Sequence, residues 1–128
     1  LGGHVERGED VLSAARRELA EESGLTGVDL HLAGSVLIDT RDTTGIELFV
    51  FYGEIESEPT MINSPEGELV WVNLDEVKTL PVVEDLPKLL ELVSSRRLHG
   101  CGLFHARYHY DDTDQLVISV EEESARRT

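Results

Sequence analysis

Apolar positions along the chain change period several times, and each change marks an element. Val11, Leu12, Ala15 and Leu19 recur at helical spacing, giving one apolar face. Asp10 opens this stretch, where acidic residues suit the first turn, and Gly24 stops it where a left-handed cap would sit. Val28 to Asp39 reads as a strand of mixed alternation, and Ile46 to Ile55 as a returning strand rich in β-formers. Arg41 to Gly45 is the turn between them, so the pair makes an antiparallel hairpin. A polar loop containing Pro59 and Pro65 leads to another predicted strand, Glu68 to Leu74, and to a helical turn begun by Asp75, Glu76 and Val77. Leu86, Leu89, Leu90 and Val93 restore the helical stripe, with Pro87 in the first turn, where its missing N–H is harmless. A last hairpin follows: strand Gly102 to Tyr110, turn Asp111 to Asp114, strand Gln115 to Glu121, and then a polar terminus.

Composition narrows the picture a little. A chain of 128 residues is read as one domain, residues 1–128, with a modest core. No apolar run approaches the ~20 residues of a membrane span and no signal-peptide pattern appears, so a cytoplasmic protein is the expectation. Cys101 is the single cysteine and cannot form an internal disulfide; it reads as a small buried hydrophobe. Charge changes more. Twenty-six acidic residues face eleven basic ones, of which only Lys78 and Lys88 are lysine, for a formal net charge of −15. Such a surface disfavours nucleic-acid duplexes and anionic membranes as partners. An anionic small molecule would need local arginines or a metal ion to be held.

The polar face of the first helix is where that need is met. Glu18, Glu21 and Glu22 stand at i, i+3 and i+4, so their carboxylates emerge on one stripe. Like charges so placed repel by roughly 0.2–0.5 kcal/mol per pair in an isolated helix. A hard divalent cation, Mg²⁺ or Mn²⁺, would offset the repulsion, because it prefers carboxylate oxygen. Arg17 can pair with a neighbouring carboxylate, Glu9 being the candidate two turns earlier. Taken alone, such a cluster is more often a solvated acidic helix face.

The whole stretch from Gly3 to Leu25 is more specific. GHVERGEDVLSAARRELAEESGL follows the pattern G-x5-E-x7-R-E-U-x-E-E-x-G-U, with U aliphatic, at every specified position. The chain therefore resembles the Nudix hydrolases, which cleave nucleoside diphosphates linked to a further group by metal-assisted attack of water on phosphorus. The resemblance implies an α/β/α sandwich around a mixed sheet, an α/β (α+β) fold with the box helix on one side and the Leu86–Val93 helix on the other. It implies that Glu18, Glu21 and Glu22 bind Mg²⁺, with the carbonyl of Gly2 joining them. Arg17 and Glu9 match the ion pair that orients loop and helix. Two or more strands normally precede the box, yet here it begins at residue 3. The chain is accordingly read as a piece lacking about 30–40 residues of ordinary loop-and-hairpin length, another chain supplying those strands being the alternative.

A narrower resemblance covers the second half. Trp71 stands in a W-V-x-L-D-E context that packs against the core in many Nudix proteins. In the oxidised-purine triphosphatases a functional glutamate lies five positions before this tryptophan, which selects Glu66, with a solvated loop acid as the bland alternative. The order helix, basic pair, aliphatic-His-Gly, hairpin is similar to the end of those enzymes. Aligned on His99-Gly100, Glu84 and Asp85 fall where they hold two acids that read a purine edge, although Asp85 is also the natural N-cap of its helix. The stacking tryptophan of that subfamily is Val82 here, which leaves base selectivity open.

The resemblance implies hydrolysis of a nucleoside triphosphate, an oxidised purine being one candidate, to monophosphate and pyrophosphate. Glu18 or Glu66 would act as general base, and His4 in the box loop could contact phosphate. ADP-ribose, dinucleoside polyphosphates and RNA caps remain alternative substrates, and a non-catalytic nucleotide-sensing module is the reading of another class. The partner is a small nucleotide, and the chain a monomer or homodimer. His105 and His109 share one side of a strand, but no third ligand at suitable spacing makes them a zinc site.

Overall fold

In the computed structural model, residues 1–41, 44–56, 69, 71–79, 84–100 and 102–124 are described below. Along the chain come helix α1 (Val11–Ser23), strand β1 (His31–Ile38), strand β2 (Ile46–Tyr52), a 3₁₀ turn (Leu74–Thr79), helix α2 (Leu86–His99), strand β3 (Phe104–Tyr110) and strand β4 (Leu116–Glu122). Contacts divide the chain into two compact units, Leu1–His31 with Gly53–Val82, and Leu32–Tyr52 with Val83–Thr128. Loop residues Glu54 to Glu56 and the segment from Trp71 to Asn73 belong to the first.

The second unit is built on a four-stranded sheet ordered β2-β1-β3-β4. β1 and β3 run parallel, with Ser35 opposite His105 and Leu37 opposite Arg107. β3 and β4 are antiparallel, from Phe104 opposite Glu122 to Tyr110 opposite Leu116, so the sheet is mixed. β2 follows β1 after the short connection from Asp39 to Gly45, a length that suits a hairpin and not a parallel crossover. Burial alternates along β3: Phe104, Ala106 and Tyr108 point inward while His105 and Arg107 stay exposed. The inward face joins Ala33, Val36 and Leu92 in one core, with Leu89, Val93, Leu116, Ile118 and Val120 packed against it. Of the stripe that the spacing predicts, Leu89 and Val93 reach this core, whereas Leu92, the buried residue of α2, was not part of it. Gly100, in the left-handed region at φ 62°, ends the helix and releases the chain towards β3.

Two sequence expectations need correction. Glu68 to Leu74 has strand composition, but the described residues Leu69 and Trp71 to Asn73 are not in a strand. β-propensity is realised only where a neighbouring strand accepts the ladder, and the sheet formed by the described residues includes no strand from this segment. Trp71, expected in the core, is accordingly 46% exposed. The helical turn that follows it is present as the 3₁₀ turn. The N-terminus of α2 also differs. Asp85 holds the N-cap position but in helical geometry (φ −86°, ψ −14°), and its side chain makes no capping bond. The buried Tyr108 hydroxyl engages that carboxylate instead.

Candidate active site

The first unit carries the box. α1 starts as the sequence predicts: extended Asp10 caps it, accepting from the Ser13 amide at 2.8 Å and from the Ser13 hydroxyl at 2.8 Å. Those bonds hold the Asp10 carboxyl below the ordinary aspartate range. At the other end Gly24 adopts φ 77° and its amide reaches the Ala20 carbonyl at 2.9 Å. Residues 6–9 form a tight turn that aims Glu9 back along the helix. The Glu9 amide donates to the Glu6 carbonyl, and the Glu6 amide donates to Glu9 Oε1, each at 3.1 Å.

Arg17 sits at the centre of this unit's polar groups. Its Nε donates to Glu9 Oε2 at 2.9 Å and one Nη2 hydrogen to Glu9 Oε1 at 3.0 Å, a bidentate fork. The same Nη2 reaches the His4 carbonyl at 3.0 Å. Nη1 donates to Glu18 Oε1 at 2.8 Å and to Glu21 Oε2 at 3.3 Å. All the N–H groups a guanidinium possesses are thereby engaged. Glu9 is held below the usual carboxylate range, first by the Arg17 fork and then by the Glu6 amide. Arg17 in turn is raised above its already high value by Glu9 and Glu18.

Glu22 is treated differently. It is 7% exposed, the one buried acid among the described residues, and its Oε2 accepts from the Gly2 amide at 3.1 Å. A buried carboxylate left without such a donor would be costly. Gly3 fits under Glu18 so closely that a Cβ added there would occupy the space of the Glu18 carboxyl group. The chain's first glycines thus bring backbone against two of the three helix glutamates. Next in sequence, Ser23 is 1% exposed; its hydroxyl donates to the Leu19 carbonyl at 2.6 Å and accepts from the Leu25 amide at 3.2 Å. Sequence reasoning passed over Ser23. Its only signal is a hydroxyl in the last helical turn, where back-bonding to i−4 is common.

The predicted residues therefore fall into three groups. Arg17, Glu9, Glu18 and Glu21 form one ion-pair network, and Gly2 joins Glu22. Among the described residues no three acidic, His or Cys side chains converge as a ready-made ligand cage. Glu18 and Glu21 face Arg17 and Glu22 faces Gly2. The donor set still fits a hard divalent cation: carboxylate oxygens on one helical stripe with backbone close by. Gly2 lies beside Glu22 through its amide, whereas the resemblance implied a role for its carbonyl. His4 contributes its carbonyl to Arg17, and its ring lies in the exposed loop.

The third group, Glu84 and Asp85, belongs to the second unit, Glu84 exposed in the turn before α2 and Asp85 partly buried. Burial and Asp85 together push the Tyr108 phenol well above its ordinary value. Glu66 and Val82 lie outside the described residues. His105 bonds Ser35 and Glu123 at 3.2 and 3.0 Å, an exposed cross-strand contact. An open groove of about 320 Å³ beside Arg16, Leu19, Leu25 and Val28 is lined by none of the predicted site residues. No helix among the described residues is long and apolar enough to cross a membrane.

Comparison with known proteins follows the same lines. The NUDIX domain family matches residues 1–93. An uncharacterised Nudix hydrolase of Bacillus subtilis, YvcI, is 26% identical over 120 residues, covering 91% of this chain and 73% of its own length. An oxidized purine nucleoside triphosphate hydrolase of Danio rerio is 37% identical over 79 residues, 60% of this chain and 49% of that protein. Among solved structures, the mutator MutT protein from Bacillus halodurans superposes with a TM-score of 0.74 at 29% identity, over 93% of this chain and 78% of that one. With the box intact and its arginine joined to Glu9, Glu18 and Glu21 in one network, the chain belongs to the Nudix family, has the Nudix fold, and is a hydrolase of phosphoric anhydrides in nucleotide-linked substrates.

Proposed function

We propose that the chain hydrolyses a nucleoside triphosphate to the monophosphate and pyrophosphate, using a divalent cation held by Glu18, Glu21 and Glu22 beside Gly2. The observation that carries this reading is the Arg17 network, which gathers Glu9, Glu18 and Glu21 around one guanidinium on the face of α1. Mg²⁺, or Mn²⁺ in its place, supplies charge neutralisation at the phosphate oxygens and acidifies the attacking water when bound. Arg17 and Glu9 fix the geometry of loop and helix. A carboxylate, Glu18 or Glu66, takes the proton of the water as it attacks phosphorus and the anhydride P–O bond breaks. Buried Glu22, tied to the Gly2 amide, anchors the backbone of residues 2 and 3 against the stripe.

For the base we assign Glu84 and Asp85, in a cytoplasmic enzyme whose substrate is an oxidised purine nucleotide. Two things support that choice: the similarity to the Danio rerio hydrolase, and the Asp85 carboxylate, which Tyr108 engages and which does not cap α2. Either protonation state of a carboxyl can pair with a purine edge.

Release of pyrophosphate and phosphate from 8-oxo-dGTP, dGTP, dATP, ADP-ribose and a dinucleoside tetraphosphate, with Mg²⁺ and then with EDTA, tests the proposal. Preference for 8-oxo-dGTP that EDTA abolishes is expected. Preference for ADP-ribose or the tetraphosphate would keep the box chemistry and discard Glu84 and Asp85 as base readers.

A further inference from the structure

Arg17 divides its donors between two sets of acids. Two go to Glu9 and one to the His4 carbonyl, on the loop side. The two Nη1 hydrogens go to Glu18 and Glu21, on the helix side. The two helix contacts are unequal: the Glu18 side chain is 18% exposed and bonded at 2.8 Å, whereas Glu21 is 61% exposed and bonded at 3.3 Å. Glu18 Oε1 and Glu21 Oε2 are among the oxygens that a divalent cation would have to take, and an oxygen shared with a guanidinium is a poorer ligand for a second cation.

We propose that Glu9 and the helix glutamates compete for Arg17, so that Glu9 is a positioning residue setting how readily Glu18 and Glu21 can be given to a divalent cation. The inference rests on the cation reading above and goes beyond the role of a brace. A brace has one sign: removing either end of the Glu9–Arg17 pair loosens the site and weakens cation binding. A competition has two. Without Glu9, the guanidinium keeps only the helix acids as hydrogen-bonded carboxylate partners, Glu6 standing farther off at 3.7 Å, and it holds them more tightly, so cation binding weakens. Without Arg17, the helix acids lose their rival cation and their mutual repulsion returns, so cation binding strengthens.

Titration calorimetry with Mn²⁺ on the full chain, with Glu9→Gln and with Arg17→Gln, separates the two. The expected result is a Kd raised about threefold or more in Glu9→Gln and lowered by a similar factor in Arg17→Gln, the size expected when one partly exposed ion pair is exchanged. Circular dichroism establishes that each variant is folded. Should Glu9→Gln not fold, Glu9→Asp keeps the charge but draws it back by one methylene, and the same direction is expected with a smaller change. Weaker Mn²⁺ binding in both Glu9→Gln and Arg17→Gln would overturn the competition and leave the brace. Absence of Mn²⁺ binding to the unaltered chain would overturn the cation reading itself.

Discussion

Tyr108 shows how much a single hydroxyl can organise. It is 7% exposed, in the core beside Phe104 and Ala106, and its polar end meets Asp85 at the start of α2. Tyr108→Phe removes that bond and is expected to lower unfolding stability by about 1 kcal/mol in urea titration. The phenol is raised above its unfolded value of about 10, so its stabilising contribution is full below that pH and is lost as pH rises further. Unfolding of the unaltered chain should therefore ease above about pH 10, and this alkaline loss should be smaller in Tyr108→Phe; equal losses would contradict the assignment.

At this scale the sequence is informative where spacing alone places a residue. Helical spacing puts Glu18, Glu21 and Glu22 on one stripe, and Arg17 two turns after Glu9, and the network contains the pairings this suggests. Ser13, Ser23 and Tyr108 were not foreseen. The two serines act through local bonds any serine could make, and Tyr108 through a contact that depends on how β3 meets α2.

Among the elements, those with a period of their own were legible: α1, α2 and both arms of the final hairpin, although the predicted α2 stripe missed Leu92. The final turn is also chemically specified. Asp111 Oδ1 accepts from the Thr113 amide at 2.9 Å, the Thr113 hydroxyl at 2.7 Å and the Gln115 amide at 3.0 Å. These donors, the Gln115 and Thr113 bonds foremost, hold its carboxyl below the ordinary aspartate range. A depressed carboxyl stabilises the fold above its unfolded value of about 4 and ceases to do so as pH falls through its lower folded value. Unfolding should become easier below about pH 4, and Asp111→Asn should reduce that acid sensitivity at constant salt. Beside the turn, Arg41 reaches Asp114 Oδ1 at 3.1 Å and the Asp111 carbonyl at 2.8 Å; both Arg41 and Asp114 have positive φ. The described residues of the segment Glu68 to Leu74 form no strand, because a strand is a property of a pair. Alternating β-formers cannot announce whether an edge is available to them.

For the whole molecule, the resemblance carried by 23 residues near the start foretold the fold of a chain whose family match extends to residue 93. The mixed sheet could not have been derived from the strands' composition, because a parallel β1–β3 pair joins segments far apart in sequence. It follows instead from the family. The core that closes over this sheet is small, and Leu92, 7% exposed, is its contribution from α2. Leu92→Ala should cost about 2–5 kcal/mol in denaturant unfolding. A loss below 1 kcal/mol would mean that α2 is not what seals the sheet.

The central claim is that the α1 glutamates hold a cation without which the anhydride is not cleaved. The measurement that tests it most directly is steady-state nucleotide hydrolysis in saturating Mg²⁺ by the unaltered chain and by Glu22→Gln, with circular dichroism of both. The account predicts unchanged spectra and a kcat lower by roughly a hundredfold or more, since replacing even residues that support a metal ligand costs 10–100-fold. Glu22→Gln turning over at the unaltered rate would contradict it.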